Sequence, residues 1–322
     1  MVGLALAVIL GAGTIQAAAK LTDVKVVLDW TPNTNHTGLY VARDLGYYAD
    51  AGLDVQIIQP GAGGADQMVA VGAAQFGVGY QEGVTEARSQ GVPLVSLAAV
   101  IQHNTSGFAS PVGKGITRPR DFAGKTYGGW GSPEEGYVIQ SLMEADDHHG
   151  GDFKSVKILN IGETDYFTAV KRDIDFAWIF YGWTGIEAQL RHEPLNIVYL
   201  TDYSKKLDYY TPIIETSEKL IASRPELVKA FMAATAKGYE YAIAHPDAAA
   251  DILIKAVPDL DPALVRASQE WLSPRYQADA PQWGVQRQEV WQNYMDWLVE
   301  HKLMDHAIDV SAAYTNAFLP QP

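Results

Sequence analysis

The stretch VVLDWTPNTNHTGLYVARDLGYY, residues 26–48, begins as a strand and ends as a helix. Its β-branched start predicts a buried strand, and the apolar residues after His36 recur at helical spacing. The connecting loop brings Asp29, Trp30, two asparagines and His36 together within eight residues. Because ligands of open α/β proteins lie beyond the carboxyl ends of the strands, such a loop indicates a binding position.

Strand and helix alternate along most of the chain. Strands are predicted at 24–30, 53–60, 76–80 and 93–101, with helices at 36–52, 65–74 and 83–91. After the connection 102–116, a second series has strands at 125–130, 156–161, 175–180 and 195–200, with helices at 134–147, 164–172 and 184–191. Beyond residue 212 only helices are predicted, at 223–245, 247–257, 261–272 and 282–302. This order predicts an α/β fold of two doubly wound units, each a largely parallel sheet covered by helices on both faces.

Composition narrows the classes of function. The 322 residues carry a formal charge of −14, and no run of Lys or Arg is present. Binding to nucleic acid or to an anionic membrane surface is therefore not expected, since both need a basic field. The chain has no cysteine, which excludes disulfides, thiolate nucleophiles and cysteine metal sites.

Motifs of catalysis and metal binding are missing as well. The chain contains no HExxH, P-loop or GxSxG motif, and GAGGAD at 61–66 departs from the spacing of a dinucleotide loop. The pair His148–His149 lies in a polar turn and is not expected to bind metal. Glu134 and Glu135 stand at a predicted helix start, where the helix dipole accounts for them without acid/base chemistry. No cofactor is expected.

Residues 1–19 form an apolar run that ends in small residues near Ala17 to Ala19. This pattern is typical of a secretory signal peptide, although a basic start is missing. The alternatives are a short membrane anchor or a buried N-terminal helix, but the run is short for a membrane span. Export to the periplasm or the medium is expected, with a mature start at Ala18, Ala19 or Lys20 and no membrane insertion after cleavage.

Candidate binding residues cluster at the predicted strand ends. Aromatic rings can cover a flat apolar surface, while amide, imidazole and carboxylate groups recognise donors and acceptors at its edge. An isolated Trp is more often a core residue, so the hypothesis depends on the clustering. The candidates are Trp30, Asn33, His36, Tyr40, Glu82, Asn104, Trp130, Tyr137, Tyr181, Trp183 and Glu187.

Four segments carry a family resemblance: LDWTPNTNHTGLYVARDLGYYADAGLDVQII, GVPLVSLAAVIQHNTSGFAS, DFAGKTYGGWGSP and DFAWIFYGWTGIEA. The chain resembles bacterial solute-binding proteins of ABC importers that are related to yeast thiamine-pyrimidine synthase. The resemblance implies a type II periplasmic binding protein with two lobes on a two-strand hinge, at about 101–108 and 201–212. Lobe 1 would comprise 20–103 and 206–322, and lobe 2 would comprise 104–205. It also implies a monomer that delivers a formylated or hydroxymethylated aminopyrimidine to permease subunits.

The related family also contains enzymes, and riboflavin is an alternative flat ligand. In the yeast-type synthase a lysine holds pyridoxal phosphate and a histidine is consumed; Gly79 and Gly83 align with those two positions. The cysteine-rich motif of the synthase is missing too, so the resemblance favours binding over synthesis. We expect Trp30 and either Trp130 or Trp183 to flank the ligand ring. In the connection 270–284, core packing is expected for Trp271, Tyr276 and Trp283, with closure of one end of the cleft as the alternative.

Overall fold

A computed structural model describes residues 20–61, 64–132, 134–147, 152–162 and 164–321. The predicted signal peptide, part of the 61–66 loop and the His148–His149 pair lie outside the described residues. Within those ranges, none of the helices combines the length and the apolar character that a membrane crossing needs.

In the described part of the chain, ten strands form two five-stranded sheets. The strands are β1 (Thr22–Val27), β2 (Leu53–Ile58), β3 (Phe76–Gly79), β4 (Leu94–Ala99), β5 (Ser106–Pro111), β6 (Thr126–Gly129), β7 (Lys157–Asn160), β8 (Phe176–Phe180), β9 (Leu195–Tyr199) and β10 (Ile213–Ser217). The order is β2-β1-β3-β10-β4 in the first sheet and β7-β6-β8-β5-β9 in the second.

Twelve α-helices are present in the described ranges. They are α1 (Thr37–Asp44), α2 (Tyr47–Asp50), α3 (Gly64–Ala70), α4 (Gln81–Ser89), α5 (Glu134–Asp146), α6 (Tyr166–Arg172), α7 (Ile186–Leu190), α8 (Glu218–Ser223), α9 (Pro225–Ala244), α10 (Pro246–Ala256), α11 (Pro262–Gln277) and α12 (Gln288–Glu300). The two-lobed α/β prediction is confirmed.

The sheets are less parallel than the sequence predicts. β10 lies antiparallel between β3 and β4, and β5 lies antiparallel between β8 and β9. The sequence predicts neither strand: the pattern at 102–116 indicates a connection, and the region beyond residue 212 is predicted to be helical. Both follow a crossing between the sheets, and each is inserted next to the edge strand of a sheet whose other strands come from one continuous run. Long-range pairing of this kind leaves little trace in local periodicity.

Several predicted helices have other bounds in the structure; the helix expected at 282–302, for example, begins at Gln288 as α12. The helix expected at 36–52 is divided into α1 and α2 by Gly46, whose φ of +82° is a left-handed conformation that an L-residue rarely adopts. The helix expected at 261–272 continues through Pro274 to Gln277 as α11. Ser268 and Trp271 of α11 contact Gly182 and Tyr181 in the second lobe.

Two large apolar clusters hold the architecture together. The first covers one face of the first sheet beneath α1, α9 and α11, with Phe76 and Phe231 stacked at 3.8 Å between ring centroids. The second continues from lobe 1 into lobe 2 and includes Trp297 of α12 and Val138 of α5. The indole nitrogen of Trp297 donates to Ser141 at 3.2 Å. The lobes therefore touch on the α5–α12 side as well as at the crossings.

The chain passes between the sheets at 100–105 and 200–212, and hydrogen bonds tie the two crossings together. The Asn104 amide nitrogen donates to the carbonyl of Leu207 at 3.0 Å, and its oxygen accepts from Ser106. The backbone N–H of Asn104 donates to Asp208 at 2.8 Å. Both ends of the predicted ligand residue Asn104 are thus engaged in the hinge.

Candidate functional site

The loop after β1 is held by its own polar residues. The N–H of Asn33 donates to Nδ1 of His36 at 3.1 Å, so the ring proton lies on Nε2, which donates to Asp29 at 2.6 Å. Tyr80 donates to the other oxygen of Asp29 at 2.7 Å. Burial opposes ionisation of Asp29, but the His36 and Tyr80 contacts outweigh it and lower the pKa of the carboxyl group.

The side chain of Asn33 also forms its hydrogen bonds within the loop. Its side-chain oxygen accepts from the N–H of Asn35 at 2.8 Å, and its amide nitrogen donates to the carbonyl of Thr31 at 3.0 Å. Asn33 and His36 are nearly or fully buried. Both predicted ligand residues shape the loop, and the residue that the loop presents outward is Trp30, which is 45% exposed.

The corresponding loop of lobe 2 follows β6 and is built around Glu135. This buried carboxylate accepts from the backbone N–H groups of Trp130, Gly131 and Ser132 at 2.7–3.2 Å, and from the hydroxyl of Tyr127 at 2.6 Å. A Cβ atom at position 129 would collide with it, which explains the glycine there. The loop exposes 46% of Trp130, whose ring contacts Trp178 at 5.3 Å. Trp30 after β1 and Trp130 after β6 are thus the exposed indoles of two corresponding strand-end loops, one in each lobe.

The third predicted indole has a different environment. Trp183 follows β8 in a π-helical turn, Tyr181–Gly185, and packs against an apolar cluster of lobe 1 that contains Tyr40 and Leu253. Tyr40 is only 5% exposed. Tyr181 lies 5.2 Å from the ring of Trp271. These rings form an interlobe contact with α10 and α11 instead of projecting freely into the opening.

Two further predicted residues lie on helices. Tyr137 is 40% exposed on α5, while Glu187 on α7 accepts from Nε of Arg191 at 2.8 Å, one helical turn away. Of the connection 270–284, Tyr276 and Trp283 are buried in the lobe 1 core, as expected. Trp271 instead contributes to the interlobe surface.

Glu82 is the predicted acid whose environment most favours a role in binding. Burial raises its pKa to about 8, and the negative charges of Glu134 in lobe 2 and Asp66 in lobe 1 add to the effect. Tyr209 hydrogen bonds with it, yet the buried oxygen Oε2 has no partner in the described chain. A donor from a ligand would satisfy that oxygen.

Sequence reasoning missed Asp66, Ser268 and Glu215. Glu215 is the charged residue of β10, IIETS, a strand that the sequence does not predict, and a charge directly after two isoleucines is the available signal. Asp66 and Ser268 carry no local signal, because their contacts come from distant segments. No group of three metal-ligating side chains occurs in the described ranges.

A cavity of about 410 Å³ lies at the hinge between α11 and lobe 2. Its lining residues are His103, Asn104, Thr105, Tyr199, Trp271, Arg275 and Ala278. Arg275 lies over the indole of Trp271, 3.6 Å from the ring centroid. His103 lies between Asp208 at 2.7 Å and Asp279 at 2.9 Å.

Comparison with known proteins finds relatives that are similar in sequence and a solved structure that is similar in fold. The chain is 29% identical to the formylaminopyrimidine-binding protein of Halalkalibacterium halodurans, over 92% of this chain and 90% of that protein. It is 26% identical to 4-amino-5-hydroxymethyl-2-methylpyrimidine phosphate synthase of Legionella pneumophila, over 92% of each chain. The alkanesulfonate-binding protein SsuA of Xanthomonas axonopodis pv. citri, solved with MOPS, superposes with a TM-score of 0.69 at 13% identity, over 92% of this chain and 99% of that one. The fold is therefore that of periplasmic binding proteins.

A model of the family described as NMT1/THI5 like matches residues 33–249, a span that contains the end of the loop after β1, the acids near β3 and all of lobe 2. Since this span is more than half of the chain, the protein belongs to the NMT1/THI5-like family.

Proposed function

We propose that the protein is the substrate-binding component of an ABC importer and that it captures an aminopyrimidine precursor of thiamine between its lobes. The observation that carries the proposal is a pair of exposed indoles, one in a strand-end loop of each lobe, Trp30 after β1 and Trp130 after β6, together with the unpartnered carboxyl oxygen of Glu82. Exposed indoles that border an opening offer flat apolar surfaces at low entropic cost. A carboxyl oxygen without a donor suits an amino group on the ring edge. The similarity to the formylaminopyrimidine-binding protein supports the same ligand class.

Hinge closure is the mechanism of capture. Lobe 1, residues 20–103 and 206–322, and lobe 2, residues 104–205, rotate about the two crossings, bury the ligand between Trp30 and Trp130, and present a joined surface to the permease. The protein acts outside the cytoplasm, as a monomer and without a cofactor. Size-exclusion chromatography with light scattering tests the monomer.

Binding, not synthesis, is supported by the surroundings of Gly79 and Gly83. A Cβ atom at Gly79 would lie 2.7 Å from a carboxyl oxygen of Glu215, and one at Gly83 would lie 2.3 Å from Asp66. A lysine or histidine at either position would therefore collide with an acid. The family resemblance assigns the cofactor lysine and the consumed histidine to these two positions, and neither side chain is present.

The test combines native mass spectrometry of protein purified from cells with calorimetric titration. The expected result is a stoichiometric, non-covalent small molecule and saturable binding of formylaminopyrimidine or 4-amino-5-hydroxymethyl-2-methylpyrimidine. A covalent pyridoxal adduct would favour the synthase, and preferential binding of riboflavin would favour a different vitamin. Either result overturns the proposal.

A further inference from the structure

The cavity beside the hinge has basic side chains in its wall. It encloses about 410 Å³, and the described residues that line it include Arg275 and His103 but no aspartate or glutamate. None of Trp30, Glu82 and Trp130 belongs to this lining, so the cavity shares none of the residues that carry the proposed function. In a chain with a formal charge of −14, a wall of this kind is a local exception that favours a negatively charged occupant.

Arg275 lies in the last turn of α11, where packing fixes its side chain. Its guanidinium carbon lies 3.6 Å from the ring centroid of Trp271, and Nη1 donates to the backbone carbonyl of Trp271 at 2.5 Å. The backbone carbonyl of Arg275 accepts from the N–H of Gln102 at 3.3 Å, which ties the end of α11 to the first crossing. The guanidinium group is therefore held in place at the cavity wall before any ligand binds.

The charge of Arg275 has no acidic partner within the described ranges. Among the hydrogen bonds of the same ranges, its guanidinium group donates only through Nη1, so the edge formed by Nε and Nη2 remains available. Burial lowers the pKa of Arg275, because the charged form loses hydration and gains no ion pair. Two parallel N–H groups on one edge match the two oxygens of a carboxylate.

His103, the second basic residue of the wall, is already paired. It lies 2.7 Å from Asp208 and 2.9 Å from Asp279, and the hydrogen bond to Asp208 is the main cause that raises its pKa to about 9. The imidazole is therefore protonated at neutral pH, and both of its nitrogens are bound by these two acids. Because neither acid lines the cavity, Arg275 remains the uncompensated cation of the wall.

Tyr199 and Thr105 add neutral hydroxyl groups to the lining. Neither side chain forms a hydrogen bond with another described residue. Burial and the neighbouring Tyr181 raise the pKa of Tyr199 to about 12, so its hydroxyl is a neutral donor at physiological pH. The rings of Tyr199 and Trp271 supply flat apolar surfaces. A volume of about 410 Å³ lies in the range of sites for small organic molecules.

We infer that this cavity binds a small planar organic acid, whose carboxylate pairs with Arg275 and whose flat body contacts Trp271 and Tyr199. Its walls come from α11 in lobe 1, from Tyr199 in lobe 2 and from the crossing at 103–105. An occupant therefore contacts both lobes and stabilises the arrangement in which they meet. The inference goes beyond the proposed function and does not depend on which molecule binds between the Trp30 and Trp130 loops.

Calorimetric titration with benzoate tests the inference. Benzamide is the neutral probe of nearly the same shape, and inorganic phosphate is the tetrahedral anion. The wild-type full chain, in a buffer free of carboxylate and phosphate, should bind benzoate about tenfold or more tightly than either, the range that a charge-assisted hydrogen bond supplies. Arg275→Gln should lower the affinity for benzoate by about tenfold or more and remove the preference over benzamide.

Two further variants control for charge and for location. Arg266→Gln is the matched control, because Arg266 is exposed on the same helix and pairs with Asp251. It removes the same charge and should leave the affinity for benzoate unchanged. Trp130→Ala should also leave it unchanged, which would locate benzoate outside the proposed pyrimidine site. Circular dichroism verifies the fold of each variant.

Several outcomes would overturn the inference. These are equal binding of benzoate and benzamide by the wild-type protein, full preference for benzoate in Arg275→Gln, and loss of benzoate binding in Trp130→Ala. Phosphate binding as tight as that of benzoate would assign the cavity to oxyanions in general and reject the planar acid. The wild-type comparison decides the question even where a variant does not fold. Failure to bind a pyrimidine would count against the proposed function alone.

Discussion

The Oγ atoms of Ser268 and Thr34 lie 2.6 Å apart in the interior of the protein. Ser268 belongs to α11, and its hydroxyl donates to the backbone carbonyl of Gly182 in lobe 2. In the contact between the two hydroxyl groups, Ser268 is therefore the acceptor and Thr34 the donor. A single hydroxyl thus joins the loop after β1 to the turn after β8. This contact links the first binding loop to the relative position of the lobes.

Replacing Ser268 by Ala should favour the open arrangement of the lobes. The variant loses one buried interlobe hydrogen bond and leaves the Gly182 carbonyl unsatisfied, which together cost about 1–3 kcal/mol. We expect weaker ligand binding through faster dissociation, measured by stopped-flow tryptophan fluorescence. Ser223→Ala, at an exposed helix end, is the control. An unchanged dissociation rate in Ser268→Ala would show that this bond does not hold the lobes.

Trp30→Ala and Trp130→Ala should weaken binding without destabilising the fold. Each indole is almost half exposed, so truncation removes little from the core, but each should lose tenfold or more in affinity, or about 1.4 kcal/mol. Calorimetry measures the affinity, and thermal melts measure the stability.

A matched contrast is Trp283→Ala. This ring is 1% exposed and stacks on Tyr239 at 4.3 Å, so its loss should cost about 3–5 kcal/mol of unfolding free energy. Unaltered calorimetric affinity in Trp30→Ala would refute the stacking role.

The free energy of unfolding should fall as the pH rises from about 4.5 to about 8. Glu82 has an ordinary pKa of 4.5 when unfolded, and burial raises it to about 8 in the folded protein. Over that window the folded state holds a proton that the unfolded state has released, so stability declines with increasing pH. The raised pKa values of Asp66 and Glu215 act in the same direction.

Urea unfolding at pH 5 and pH 8 measures this slope. Glu82→Gln should reduce it, and Glu86→Gln, exposed on the same helix, should not. The groups facing Glu82 are Asp66, Tyr80, Glu134, Tyr209 and Tyr294. An identical slope in wild type and Glu82→Gln would contradict the assignment.

His103 should titrate far above the usual range for histidine. The hydrogen bond to Asp208, supported by Asp279, raises its pKa from 6.5 to about 9. The stability it contributes is therefore complete below pH 6.5 and is lost as the pH rises through about 9. NMR titration of the imidazole measures the pKa, with His103→Gln identifying the resonance.

Asp208→Asn should lower the pKa of His103, because the strongest partner is removed. Since Asp208 lies on one hinge crossing and His103 on the other, the same variant should loosen the hinge. A midpoint near 6.5 in the wild-type protein would contradict the ion-pair geometry.

The alternation of strand and helix could be read from the sequence because each element buries one face, and burial imposes a local period on the chain. That is why the loop after β1, with Trp30 outward, is predictable. β5 and β10 are not, since their place between two strands of a sheet depends on partners far away in the chain.

The polar residues of the candidate site show the same difference between what the sequence predicts and what depends on the tertiary structure. The sequence by itself determined that Asn33, His36 and Glu82 stand at strand ends. Only the tertiary structure decided that Asn33 and His36 form their hydrogen bonds within the loop. It also decided that the Oε2 atom of Glu82 has no hydrogen-bond partner in the described chain. The physical reason is that a side chain's type states which hydrogen bonds it can make, and its neighbours in three dimensions determine which of them remain for a ligand.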